Sequence, residues 1–164
     1  MHRLWTPWRL AYVTDASIET PDCILCHALG RPDGDPLIVH RGATAFVILN
    51  KFPYNNGHVM VVPNRHVARL ADLQPAEMME TMTLLQATER ALADVYRPHG
   101  FNVGINIGKP AGAGILDHLH VHIVPRWNGD TNFITVVGET RVLPEELPAA
   151  SERIRAALMR VLAA

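Results

Sequence analysis

Short aliphatic runs separated by turn-forming residues fill the first third of the chain beyond residue 36. Leu37–His40, Ala45–Leu49 and His58–Val62 have the length and β-branched character of strands. The stretch Gly30–Asp35, GRPDGD, predicts a surface turn, and NKFPYNNG between the second and third runs is a turn-rich loop. From Asp72 the period changes. Asp72 or a neighbour can cap a helix with Pro75 in its first turn, and Met78, Met82, Leu85, Leu92 and Tyr96 recur at helical spacing until Pro98. Those methionines are expected in the core. Strand patterns return over Phe101–Ile107, Leu119–Val124 and Phe133–Val137. A last amphipathic helix places Ile154, Ala157, Leu158, Val161 and Leu162 on one face.

This succession predicts an α+β fold, an antiparallel sheet of about five strands with one long central helix and a C-terminal helix. One domain is expected over 1–164, with an N-terminal extension over 1–20, a core over about 21–137 and the final helix over about 145–164.

Composition narrows the function. The 164 residues carry a formal charge of −1, which argues against a nucleic-acid binder that tracks phosphates. The opening MHRLWTPWRLAYV has no unbroken apolar run, so neither a signal peptide nor a membrane span is expected, and the cytoplasm is the expected location. In that compartment Cys23 and Cys26 read as a metal or redox pair rather than a structural disulfide.

The chemistry concentrates in Asp117–Pro125, DHLHVHIVP. In a strand His118, His120 and His122 share one face, while Leu119, Val121 and Ile123 take the other. At ~3.3 Å per residue the outer two lie roughly 13 Å apart, so one metal held by all three is geometrically poor. A catalytic use fits better. A neutral imidazole is a good nucleophile toward phosphorus, and flanking imidazoles can orient it and donate to phosphate oxygens. The glycine-rich GKPAGAG, Gly108–Gly114, is not a P-loop, because a strand follows it and no hydroxyl residue closes it. Just before a catalytic strand, its backbone N–H groups suit phosphate oxygens.

His118-Leu-His120-Val-His122-Ile-Val resembles the motif of the histidine triad family of nucleotide hydrolases and transferases. The likeness extends through RLWTPWRLAYV, ILNKFPYNNGHVMVVPNRH, GFNVGINIG and VPRWNGDTNF, and is strongest to the branch with bacterial diadenosine tetraphosphate phosphorylases. The resemblance implies that His120 attacks the α-phosphorus of a nucleotide, giving a nucleotidyl-histidine intermediate. His122 would donate to phosphate oxygens and His58 would support the triad. Asn50 matches a ribose contact and Asn106 a phosphate contact. Gly112, Ala113 and Gly114 would line the phosphates, and Trp127 would stand at the rim. The loop departs from other branches, which carry a serine or glutamine where this chain has AGAG.

For the cysteines, the residues alone supply two of about four zinc ligands. Relatives that complete such a site imply Cys23, Cys26, His66 and His118 around a structural Zn2+. The implied substrate is a purine nucleotide or dinucleoside polyphosphate, with inorganic phosphate as acceptor and Mg2+ accompanying the nucleotide. A homodimer is implied too, since the family pairs its sheets edge to edge. The rival functions are a phosphoramidase acting on AMP–amine conjugates and a zinc-containing nucleotide-binding module without turnover.

Overall fold

The computed structural model describes residues 23–131 and 145–164. The expected strand at Phe133–Val137 and the whole N-terminal extension, 1–20, lie outside them. In chain order the elements are α1 (Ile24–Gly30), β1 (Ile38–Arg41), β2 (Ala45–Leu49), β3 (Val59–Pro63), α2 (Pro75–Tyr96), β4 (Gly100–Ile105), β5 (Val121–Arg126) and α3 (Leu147–Leu162). The five strands form one sheet in the order β1-β2-β3-β5-β4, antiparallel at every pairing.

Two apolar layers sandwich this sheet. Val47, Val59, Val61, Val121 and Ile123 point to one face and pack on α2 and α3 through Leu84, Leu92, Ile154 and Leu158. Phe46, Ile48, Met60 and Val62 point to the other, where α1 covers part of it with Leu25 and Ala28. That double cover explains why every residue of β2 and of β3 is buried. The second face continues past Met60 to His122, its register partner on β5. There the apolar floor gives way to imidazoles.

The long helix is anchored at both ends. Gln74 caps it, with Pro75 in the first turn and the Glu77 carboxylate returning to the Gln74 N–H, as in a capping box. Glu77 also holds Arg65 through two hydrogen bonds of 2.7 and 2.9 Å, tying the helix start to the segment after β3. Arg97, left-handed at φ 46°, ends the helix just before Pro98. One turn outward, the Glu80 carboxylate gathers the N–H groups of Ala43, Thr44 and Ala45 and the Thr44 hydroxyl, fixing the β1–β2 turn.

Two expectations need correction. Met78 and Met82 are exposed, at 43% and 51%, because the helix turns Thr81, Leu84, Leu85, Thr88, Ala91 and Leu92 inward instead. Two buried threonines shift the inward stripe away from the one that hydropathy alone selects. Leu162, expected on the apolar face of the last helix, is likewise exposed. Cys23 and Cys26 sit at the start of a helix, with Cys23 at its N-cap and Cys26 in its first turn.

One glycine is obligatory. Gly57 adopts φ +71°, and a Cβ there would lie 2.7 Å from Cε2 of Tyr96. The tight turn it permits ends at His58.

Candidate active site and metal centre

Four histidines are buried where the second face of the sheet meets the ends of β3 and β5: His58, His118, His120 and His122. Only His122 lies within the β5 ladder; His118 and His120 are the approach to it. Their partners fix which nitrogen carries each proton, because a carbonyl only accepts and a backbone N–H only donates.

His120 Nδ1 lies 2.8 Å from the carbonyl of His118, so the proton is on Nδ1 and the lone pair on Nε2. The backbone N–H of Tyr54 donates to His58 Nδ1 at 3.0 Å, which places the His58 proton on Nε2. His58 Nε2 in turn meets His122 Nδ1 at 2.9 Å and donates to it. His122 must then carry its own proton on Nε2. The rings of His120 and His122 stand edge to face with centroids 4.8 Å apart. A lone pair and an N–H donor are thereby presented side by side, the pair that an attack on a phosphoryl group needs.

Burial disfavours a charge on two of these rings. It pushes the pKa of His120 below its ordinary value, partly opposed by the hydrogen bond to His118. Burial, with the neighbouring His120, lowers His122 to about 4. The Tyr54 ring covers both His58 and His122, at 4.6 and 5.7 Å between centroids.

The substrate-side residues fall into two groups. Asn50 adjoins His58: its N–H donates to the His58 carbonyl, and its Oδ1 accepts from the Phe52 N–H. Asn106 follows Ile105, the partner of Val121, so it lies beside the His120 position on the neighbouring strand. Its amide reaches the Gly112 carbonyl at 3.5 Å, joining it to the glycine loop. In that loop the N–H groups of Gly112 and Ala113 turn inward, onto the carbonyls of Lys109 and Gly108. Trp127 stands apart. Seven residues along from His120, roughly 23 Å at strand spacing, it packs edge-on against Tyr96. A cleft of about 800 Å³ lies elsewhere again, between β1 and α3, lined by His40, Arg41, Arg155 and Met159 among others.

Beside the imidazoles, Cys23, Cys26, His66 and His118 converge with all four ligand atoms within 4.8 Å of one another. His118 Nδ1 is 3.3 Å from Cys23 Sγ and 3.4 Å from Cys26 Sγ, and His66 Nδ1 is 3.3 Å from Cys26 Sγ. Bonds of ~2.3 Å to sulfur and ~2.0–2.1 Å to nitrogen, at tetrahedral angles, separate sulfur from nitrogen by about 3.5 Å. The tautomer fits as well. His118 Nε2 donates to the Pro63 carbonyl at 2.8 Å, which turns the Nδ1 lone pair toward the thiols and supplies the outer hydrogen bond usual for a metal-bound histidine. Burial lowers the His118 pKa, keeping it neutral.

Sequence reasoning missed the groups that set these tautomers: the Tyr54 N–H and the Pro63 and His118 carbonyls. Backbone atoms leave no residue-type signal.

An antiparallel sheet bearing alternating histidines beside a Cys2His2 cluster describes a histidine triad protein. The HIT domain profile matches residues 35–129, and the chain belongs to the HIT domain family. It is 44% identical over 154 residues, 90% of this chain and 79% of the other, to the AP-4-A phosphorylase of Mycobacterium tuberculosis. It is 34% identical over 93 residues, 57% of this chain and 50% of the other, to the asymmetrical bis(5'-nucleosyl)-tetraphosphatase of Schizosaccharomyces pombe. A zinc-bound histidine triad family protein from Mycobacterium smegmatis superposes with a TM-score of 0.70 at 26% identity, covering 87% of this chain and 97% of that one.

The depressed His122 pKa predicts a pH response. Its folded value, about 4, lies below the ~6.5 of an unfolded histidine, so unfolding takes up a proton between the two. That contribution to stability is complete above about pH 6.5 and is lost as the pH falls toward about 4. A histidine NMR titration should find the His122 ring still neutral at about pH 5, more than a unit below the ~6.5 at which an ordinary histidine takes up its proton. A His122 midpoint at the ordinary value would contradict the geometry.

Proposed function

We propose that this chain transfers nucleotidyl groups from dinucleoside polyphosphates through His120. The observation that carries this is the opposed pair of tautomers, a lone pair on His120 Nε2 beside a proton on His122 Nε2. In the first step Nε2 attacks the α-phosphorus, the P–N bond forms, and the P–O bond to the departing nucleoside polyphosphate breaks. The His122 N–H donates to the phosphoryl oxygens as charge builds there. In the second step an acceptor oxygen attacks the same phosphorus and the P–N bond breaks, returning the lone pair to Nε2. His58 holds the donor tautomer of His122. Asn50 would contact the ribose. The Asn106 amide and Gly114 would contact phosphate oxygens, since the Gly112 and Ala113 N–H groups are already engaged. Trp127 would need a substrate long enough to reach it, or a second subunit.

Inorganic phosphate is the proposed acceptor, on the 44% identity to a phosphorylase. Diadenosine tetraphosphate and phosphate would then give ATP and ADP. Omitting phosphate should slow turnover at least about tenfold, ~1.4 kcal/mol in barrier. His120→Ala should abolish transfer while leaving nucleotide affinity within about tenfold, because the covalent bond forms only during reaction. Product chromatography decides: AMP and ATP forming equally fast without phosphate would make the protein a hydrolase, and turnover by the His120 variant would end the assignment.

Zinc is the ion this Cys2His2 set fits, and four protein ligands leave no open position for chemistry. When bound, it would contribute folding free energy and fasten α1 to the site. Magnesium prefers oxygen ligands and would arrive on the polyphosphate. Cys26→Ser should lower both zinc content and melting temperature. Carefully purified wild-type protein without zinc by elemental analysis would remove this part.

A homodimer joined along β4 is the proposed assembly. β4 is a sheet edge with Asn102, Val103 and Gly104 exposed. Exposed Met78 and Met82 lie on the flank of α2 opposite Glu80, away from the β1–β2 turn and toward that edge. Among the described residues no helix is long and apolar enough to cross a membrane. Met82→Glu should convert the dimer to a monomer by light scattering; a monomeric wild-type protein would count against it.

A further inference from the structure

We infer that Asn55 and Asp130 form a clamp that sets the proton positions of the His58–His122 pair. They are positioning residues for the proposed reaction, on which this inference rests.

The Asp130 side chain is 11% exposed and collects donors from two loops. Arg126 reaches it through Nε at 2.6 Å and a terminal nitrogen at 2.9 Å, and the Trp127 N–H at 3.2 Å. Across the gap, Asn55 Nδ2 donates to it at 2.9 Å and also to the Pro125 carbonyl at 3.1 Å. The Arg126 guanidinium holds the Asp130 carboxyl far below the usual carboxylate range, so it is an acceptor at every working pH. Asn55 is thus pinned to the end of β5. Its own carbonyl accepts the His58 N–H at 3.2 Å, closing the Gly57 turn. The preceding residue, Tyr54, supplies the N–H that meets His58 Nδ1.

The chemical consequence follows from two neutral rings in series. With the Tyr54 N–H in place, His58 can hold its proton only on Nε2, and the His122 proton is driven to its outer nitrogen. Once the loop drifts, His58 can move its proton to Nδ1. Its Nε2 then becomes an acceptor, and His122 must turn its proton inward to meet it. A lone pair would then face the phosphoryl oxygens where a donor had been. No charge changes, only the direction in which the pair donates. His120 is untouched, because its proton is fixed by the His118 carbonyl.

The test is nitrogen-15 NMR of the imidazoles in the full-length protein, combined with kinetics on diadenosine tetraphosphate. The wild type should show His58 and His122 protonated on Nε2 and His120 on Nδ1. Asn55→Ala should mix the tautomers of His58 and His122 while leaving His120 unchanged. It should also lower kcat at least about tenfold with KM within about threefold. Asp130→Asn keeps the shape of the clamp but weakens it, and should show the same mixing in smaller amount, so it carries the test where the alanine variant fails to fold. Unmixed His58 and His122 tautomers in either folded variant overturn the clamp, whatever happens to the rate. Tautomers that mix as described in a protein whose wild type turns over no dinucleotide would support the clamp and remove the catalytic assignment instead.

Discussion

The pairing of β3 with β5 is the constraint on which everything else depends. Its register sets Met60 opposite His122 and Val59 opposite Ile123, so one strand face presents the His122 imidazole while the other closes the core. Side chains alternate with a period of two, and a slip of one residue would bury the imidazole against α2 and expose Ile123. The apolar half of each strand enforces the polar half. Val59, Val61, Val121 and Ile123 are sealed beneath the helices, and full burial of each such side chain is worth about 1.5–3 kcal/mol. The position of the His122 ring is therefore fixed by packing on the opposite side of the sheet.

Around that pairing, hydrogen bonds from the main chain do the finer work. A Tyr54 amide, a His118 carbonyl and a Pro63 carbonyl each remove one of two choices from an imidazole. An imidazole dissolved in water exchanges its tautomers freely, whereas here each ring is committed before a substrate arrives. Such preorganisation lowers a barrier by sparing reorientation during the reaction. Burial adds to it by disfavouring a charge on His120 and His122.

How much of this was legible in the sequence depends on whether side chains or backbone carried it. The strands around the histidines announced themselves, because period-two patterning is a side-chain property, but the expected strand over Leu119–Val124 begins only at Val121 and leaves His118 and His120 in the segment leading to it. The convergence of Cys23, Cys26, His66 and His118 came from family likeness and could not have come from spacing, since a separation of 92 positions between Cys26 and His118 says nothing about distance. Other features were misread for identifiable reasons. Hydropathy favours methionine over threonine, yet Thr81 and Thr88 are the ones buried on α2. A helix of seven residues, Ile24–Gly30, is too short to show a clear period. Asn55 read only as part of a turn-rich loop, and its bond to Asp130 joins positions 75 apart.

His118 belongs to two structures at once, and it does so with different atoms. Its ring faces the cysteines, while its main-chain oxygen holds the His120 ring. Any residue at this position still has a carbonyl, so the ring can be exchanged without removing the acceptor that orients His120. The converse does not hold, because no other side chain here offers the same nitrogen to the thiols. The two sites share a residue but not an atom, so replacing the cysteines and this ring together would leave the acceptor for the His120 proton in place.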